Sequence, residues 1–193
     1  LELAFHLIAK GSSIEELKLA INLIENHSKK FPNNLELKRA KATAYHRYWI
    51  YTSGMKDLKF IPIIDQPLFS DSEEFNTFKT PFEIQRDSKL YQKTISLYEE
   101  IFEKIKDNDP GFISNYSLLL TYSPLEANRK RSLDLAIEAF KKKKSRKILN
   151  NLGIVFFLNG KIFEAQKSFW SGMSEMDREN VKKTIGERLE NVS

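Results

Sequence analysis

The sequence contains no cysteine and little glycine or proline, and each shortage excludes something. Without cysteine the chain cannot form a disulfide, a cysteine-ligated zinc site, an iron–sulfur cluster or a thiol nucleophile. Seven glycines and six prolines in 193 residues are few for a fold with many turns, and this scarcity favours helices. The compartment stays open, because proteins of the cytoplasm and of a bacterial periplasm or envelope can both lack cysteine.

Long apolar runs are also missing. The longest is IVFFL at residues 154–158, whereas a membrane-spanning helix needs about 20 mostly apolar residues. The sequence therefore predicts no transmembrane segment. It begins with Leu1 rather than methionine, and we expect a fragment or a chain whose N-terminus was removed.

Catalytic patterns are the third absence. None of the three histidines, His6, His27 and His46, belongs to an HExxH motif or another spaced ligand set. The glycines form neither GxGxxG nor a phosphate-binding loop, and the paired glutamates lie on faces expected to be solvated. The sequence predicts no catalytic residue, no metal ligand and no cofactor, so we do not expect this segment to be an enzyme.

What the chain does contain is a succession of amphipathic helices in pairs. Hydrophobic residues make up 41% of the sequence and charged residues 30%, which is typical of a folded chain. Ser12 or Ser13, with Glu15 or Glu16 three residues later, predicts one helix start. A segment with three prolines and many large apolar residues breaks the helical period, and we expect an insertion that packs back on the body. The predicted parts are helix pairs at about 1–32, 35–106, 111–144 and 146–175, the insertion at 53–81 within the second pair, and a capping helix at 177–191.

One helix pair, residues 149–169, repeats a known spacing of small and large residues. Gly153 and Ala165 lack bulk and allow close helix approach, Phe156 and Phe169 fill the space beside them, and Gly160 gives a tight reversal. Together with Leu149 and Leu152, this spacing resembles the tetratricopeptide repeat. Two departures are Gly172 where alanine is usual and Asp177 where proline often closes the unit.

The resemblance implies an all-α fold, a right-handed superhelical stack of helix–turn–helix pairs forming a single domain over residues 1–193. It also implies a non-catalytic scaffold that binds a peptide or a partner protein in a groove lined by the first helix of each pair. The implied groove residues are Lys38, Tyr45, His46, Trp49, Lys147, Asn150, Ile154 and Phe157.

A strongly basic window supports a second hypothesis. Residues 129–147 carry nine cations and two acids, a net +7, while the whole chain is +5, so the remainder is slightly acidic. The window predicts a patch for nucleic acid or another anionic surface, or else solvated lysines at a helix C-terminus. Aromatic residues that would stack on single-stranded bases are nearly missing from it. The patch residues are Arg129, Lys130, Arg131, Lys141, Lys142, Lys143, Lys144, Arg146 and Lys147.

A third hypothesis comes from another functional class. In it the chain is a helical-bundle protein that binds a small ligand or acts as an enzyme, with residues 53–81 as a lid over a pocket. Neither the partner nor the oligomeric state follows from the sequence.

Overall fold

The computed structural model describes residues 1–11, 13–52, 89–123, 125–172, 174, 178 and 179. Within these residues every regular element is an α-helix, which confirms the all-α prediction for them. The insertion (53–81) and the capping helix (177–191, apart from residues 178 and 179) lie outside the described residues. The helices are α1 (Glu2–Lys10), α2 (Ile14–Lys30), α3 (Leu35–Thr52), α4 (Lys89–Ile105), α5 (Pro110–Thr121), α6 (Glu126–Lys142), α7 (Arg146–Leu158) and α8 (Ile162–Gly172).

Side-chain caps fix where three of these helices begin. The Ser13 hydroxyl accepts from the backbone N–H of Glu16 at 3.1 Å, and the Glu16 carboxylate accepts from the backbone N–H of Ser13 at 3.2 Å. This capping box is the one predicted from the sequence. Asn34 before α3 and Ser145 before α7 accept in the same way from the backbone N–H three residues on.

The helices cluster into two compact units, which we describe separately. Unit 1 contains α1 to α4. Its middle helix, α3, packs on α1, α2 and α4, so it buries residues on more than one face. Ala40 and Ala44 lie in a cluster with apolar residues of α1 and α2, while the Trp49 ring meets Tyr91 of α4. A helix that is apolar on two sides is expected at the centre of a bundle.

Unit 2 contains α5 to α8 and has a different interior. Nine of the twelve residues of α5 are buried. Hydroxyl groups join α5 to α6, because the Thr121 hydroxyl donates to the Ser132 hydroxyl at 2.9 Å. Thr121 also lies 3.0 Å from the backbone carbonyl of Ser117 within α5. Asn151 of α7 donates to the hydroxyl of Ser114 at 3.0 Å. These small polar residues are satisfied by hydrogen bonds, as buried polar groups must be.

The α7–α8 hairpin shows the close packing that its glycines predicted. A Cβ on Gly153 would lie 2.7 Å from the Phe169 ring, closer than real Cβ atoms approach. Gly160 has φ of 74°, the left-handed conformation that glycine adopts without strain. Ala165 is fully buried. The predicted close approach and tight reversal are therefore confirmed for this pair.

The order of neighbours is the same in the two units. In unit 1, α1 packs on α2 and α3, α2 packs on α3, and α3 packs on α4. In unit 2, α5 packs on α6 and α7, α6 packs on α7, and α7 packs on α8. Each unit is thus two successive helix pairs whose first helices touch. Of the helices in the described residues, none has the length and apolar character needed to span a membrane.

Candidate interaction surfaces

Two of the residues implied for a groove, His46 and Trp49, are core residues of unit 1. Their exposed fractions are 4% and 1%. The Nδ1 atom of His46 lies 3.1 Å from the Tyr98 hydroxyl oxygen, and the two rings meet edge to face. The Trp49 ring packs on Tyr91. The assignment of His46 and Trp49 to a groove is corrected accordingly, because α4 covers the face of α3 that carries them.

Tyr45 belongs to a polar cluster that links three helices. Its hydroxyl donates to Glu25 of α2 at 2.8 Å and accepts from the ammonium of Lys93 of α4 at 2.5 Å. The Lys93 ammonium also lies 4.2 Å from the centroid of the Tyr45 ring. Lys41 and Lys93 each approach the Glu25 carboxylate, at 3.6 and 3.5 Å. The Tyr45 side chain is therefore engaged within the unit.

The electrostatics of this cluster favour its charged form. Burial by itself raises the pKa of Glu25, but the Tyr45 hydrogen bond and the two ammonium groups outweigh it, so the net pKa is lowered. The hydrogen bond to Tyr45 is the main reason that the pKa of Lys93 is raised. Burial is the main reason that the pKa of Tyr45 is raised. Near neutral pH the cluster thus holds a carboxylate, a neutral phenol and an ammonium.

The charges along α3 also pair across helices. Lys38 binds Glu100 of α4 at 2.5 Å, and Arg39 binds Asp109 just beyond α4 at 2.5 Å. The Arg47 guanidinium donates to the backbone carbonyl of Ile8 and, at 2.7 Å, to that of Gly11, at the end of α1. Lys38, the remaining implied groove residue of unit 1, is therefore already paired with an acid.

In unit 2 the implied groove residues separate into exposed and buried pairs. Lys147 and Asn150 are exposed on the first turns of α7, whereas Ile154 and Phe157 are 7% and 6% exposed and pack in the interior. Ile154 and Phe157 are corrected to core residues, since the face that carries them is covered within the fold. Of the eight implied groove residues, the structure leaves only Lys147 and Asn150 fully open to solvent among the described residues.

The basic window divides into two clusters at opposite ends of α6. This helix has 17 residues, so Arg129 and Lys141 are separated by roughly 18 Å along its axis. At its start, Arg129 donates to the backbone carbonyl of Ser123 at 3.0 Å, and Arg131 lies over the Tyr116 ring at 5.3 Å. These two arginines fasten α6 to α5, so the predicted single patch over 129–147 is corrected to two sites.

The second cluster forms what we call the basic tip. It surrounds the turn from α6 to α7, and every one of its side chains is exposed. Lys142 pairs with Glu138 one turn earlier at 2.8 Å, and the Lys144 ammonium lies 5.8 Å from the Phe140 ring. The residues of the basic tip are Lys141, Lys142, Lys143, Lys144, Arg146 and Lys147.

Exposed apolar side chains mark the other end of unit 2. Leu125 before α6 is 62% exposed, and Phe163 in the first turn of α8 is 68% exposed. Short turns join α6, α7 and α8, so neighbouring helices run antiparallel and α6 and α8 begin at the same end. We call Leu125 and Phe163 the apolar end of unit 2.

Sequence reasoning missed the cluster around Tyr45. Glu25 and Lys93 lie 20 and 48 residues away from Tyr45, and nothing local in the sequence marks them as partners.

Among the residues that the structure describes, no group of three histidine, cysteine or acidic residues is placed to hold a metal ion.

Comparisons of the chain with protein-family models, with curated proteins and with solved structures found no match. The tetratricopeptide resemblance therefore stays a prediction from the residues.

Proposed function

We propose that the chain is a tetratricopeptide-like scaffold without catalysis of its own, and that it binds a partner protein. The observation that carries the proposal is the repeated order of neighbours. Both units consist of two helix pairs in which the first helices touch each other, which is the packing that stacked helix–turn–helix repeats require. Stacks of this kind offer extended surfaces rather than enclosed pockets, and such surfaces suit a polypeptide partner.

The apolar end of unit 2 is the surface that best fits a protein partner. Leu125 and Phe163 are the two most exposed large hydrophobic residues described. Protein interfaces place aromatic and aliphatic anchors at their centre and mixed charges around them. Glu126 and Glu164 lie beside the two anchors, and Lys161 begins the same turn of α8, so charges of both signs flank the apolar side chains.

A second surface comes from the groove hypothesis. Lys147 and Asn150 are one turn apart on α7, and both are exposed. An ammonium and an amide at this spacing suit the carboxylates or the backbone of a bound peptide. The ligand-binding and enzymatic hypothesis depends on residues 53–81, which lie outside the described residues.

The two surfaces can be separated by a pull-down with the intact protein from the cells that make it. We expect the Leu125→Ser/Phe163→Ser double variant to lose partners that the wild type retains, because both anchors are removed. The matched control, Leu3→Ser/Leu19→Ser, removes two exposed apolar residues of unit 1 and should retain them. Lys147→Ala/Asn150→Ala tests the α7 surface in the same experiment. Recovery of the same partners by wild type and all three variants would contradict both surfaces.

A further inference from the structure

The basic tip concentrates positive charge in a short stretch of the chain. Six of the seven residues 141–147 are cationic, and the acid nearest in sequence, Glu138, already pairs with Lys142. Within the described part of the chain, no acidic group lies at ion-pair distance from Lys141, Lys143 or Lys147. Mutual repulsion among these three lysines is therefore not offset by an ion pair with a described acid.

The helix dipole favours the cations on the α6 side of the basic tip but not those on the α7 side. Lys141 and Lys142 occupy the last turn of α6, where the negative end of the helix dipole favours cations. Arg146 and Lys147 occupy the first turn of α7, where the positive end of the dipole opposes them. The first turn of α7 contains no acidic residue. Lys147 thus lies at a position that the helix dipole disfavours and has no ion pair with a described acid, which points to an external anion.

The shape of the basic tip restricts the kind of anion. All six residues are exposed at a turn at one end of the unit, so the cluster protrudes rather than lining a cleft. Lys143 has an extended backbone between the two helices, so successive side chains leave the turn in different directions. Five of the six are lysines, flexible point charges that bind phosphate without the fixed geometry of arginine.

We propose that the basic tip docks on the surface of a membrane containing anionic lipids. A protruding group of lysines needs nothing from its partner except a broad, negatively charged plane, and clusters of four to eight cations bind such surfaces. A peptide would need a groove or an exposed sheet edge, and single-stranded nucleic acid would need aromatic side chains to stack on. Phe140, the aromatic residue beside Lys144, is half-buried. The proposal does not depend on the proposed scaffold function.

The expected binding is weak, reversible and sensitive to salt. Each cation close to an anionic bilayer strengthens partition by about fivefold, and the attraction fades beyond a Debye length. The charge sits on one surface of unit 2, so an additional contact would be needed for permanent attachment. The basic tip therefore attaches the protein to such a membrane only transiently.

The test is sedimentation of the full chain with vesicles at 0.1 M salt. Vesicles of phosphatidylcholine with about 30% phosphatidylserine are compared with vesicles of phosphatidylcholine alone. We expect binding only to the anionic vesicles, a loss of at least a hundredfold in Lys141→Gln/Lys143→Gln/Lys144→Gln/Lys147→Gln, and release at 0.5 M salt. The matched control is Lys18→Gln/Lys29→Gln/Lys30→Gln/Lys104→Gln, which removes four exposed charges from unit 1 and should change binding by less than about fivefold.

Three results would overturn the proposal. The first is the failure of the wild type to bind anionic vesicles. The second is an equal loss in both quadruple variants, which would show that net charge and not the basic tip is responsible. The third is tighter binding to a 20-base-pair DNA duplex or to single-stranded RNA than to vesicles at equal phosphate concentration, with the same dependence on the four lysines. Circular dichroism and thermal melting of each variant ensure that a loss of binding is not a loss of folding.

Discussion

Unit 1 and the basic tip of unit 2 differ in how their charged residues are paired. In unit 1 the ion pairs of Lys38 with Glu100 and of Glu25 with Lys41 and Lys93 join different helices. Arg39 pairs with Asp109 just beyond α4, and Lys106 pairs with Glu103 one turn earlier. In unit 2, Lys141, Lys143 and Lys147 of the basic tip form no ion pair with a described acid, and Lys142 pairs with Glu138 within one helix. Most of these charged residues of unit 1 therefore hold its helices together, whereas Lys141, Lys143 and Lys147 of the basic tip are available to bind an external anion.

The interiors of the two units differ in the size of the side chains that join their helices. Unit 1 fits large rings together, with His46, Trp49 and Tyr98 between α3 and α4. Unit 2 brings α5 and α6 together through small hydroxyl residues such as Thr121 and Ser132. Small side chains allow backbones to approach closely, whereas large rings add buried area. Truncating a ring between α3 and α4 tests the first kind of packing, and adding volume in the interior of unit 2 tests the second.

Each unit contains one of the two tryptophans, Trp49 in unit 1 and Trp170 in unit 2. In a Trp170→Phe background the fluorescence reports on unit 1, and in a Trp49→Phe background it reports on unit 2. Urea unfolding followed in these two backgrounds is the measurement for the stability predictions below.

The largest effect should come from removing a ring of unit 1. Tyr98 is fully buried and packs against His46, so Tyr98→Ala leaves a cavity and should lower the free energy of unfolding by about 3–5 kcal/mol. Unfolding followed by Trp49 emission measures it. Gln92→Ala, at an exposed position of the same helix, is the control and should change little. A loss below about 1 kcal/mol for Tyr98→Ala would show that the aromatic interior is not what stabilises unit 1.

Added volume in unit 2 should have the next largest effect. Gly153→Ala places a methyl group against the Phe169 ring and should cost about 1–3 kcal/mol, measured through Trp170 emission. Gly160→Ala is the comparison: nothing lies within 4 Å of its added Cβ, and only the positive φ opposes it, at about 1–2 kcal/mol. Adding Phe169→Leu should recover part of the loss from Gly153→Ala and none of the loss from Gly160→Ala. Recovery in both would contradict the steric explanation.

The Tyr45 cluster should give unit 1 a dependence on pH. Because the folded pKa of Glu25 is lowered, its contribution is present above the unfolded pKa and is lost as pH falls through the folded pKa. Glu25→Gln should therefore cost about 0.5–1 kcal/mol at pH 7, and the difference from wild type should shrink as the pH falls below 4. Urea unfolding at pH 7, 5 and 3, followed by Trp49 emission, measures it. Glu103→Gln, which removes only the exposed ion pair with Lys106 one turn away, is the control. A constant difference between Glu25→Gln and wild type at all three pH values would contradict the prediction.

The smallest effect should have the opposite sign. Lys147→Glu places an acid in the first turn of α7 and removes one repelling charge from the basic tip, so it should stabilise unit 2 by about 0.3–1 kcal/mol. Lys30→Glu makes the same charge change in the last turn of α2, where the dipole favours a cation, and should destabilise unit 1 by a similar amount. Destabilisation by Lys147→Glu would show that the basic tip contributes to folding, against the comparison made above.

The starts and turns of the helices could be predicted because their causes are local. The capping box of Ser13 and Glu16 involves residues three apart, and Gly160 marks a turn whose positive φ few other residues adopt. The pairing of Gly153 with Phe169 was also accessible, because both belong to one hairpin with a recognisable spacing.

The groove and the basic patch could not be predicted in the same way. His46 and Trp49 lie on a face of α3 that carries lysines and aromatics and that looks exposed when the helix is considered alone. Only the position of α4, far along the chain, shows that this face is covered. The basic window looked continuous because its residues are close in sequence, but a straight helix of 17 residues separates its two ends by its own length.

The sequence by itself determined that the chain is helical, where several helices begin and end, and which small residues permit one close hairpin. Those properties arise from hydrophobic period, capping and steric bulk over a few residues. The tertiary structure alone decided which face of α3 is interior, which charges are paired, and that the basic tip stands apart from Arg129 and Arg131. These depend on which helices become neighbours, and the interactions that select neighbours join residues distant in sequence.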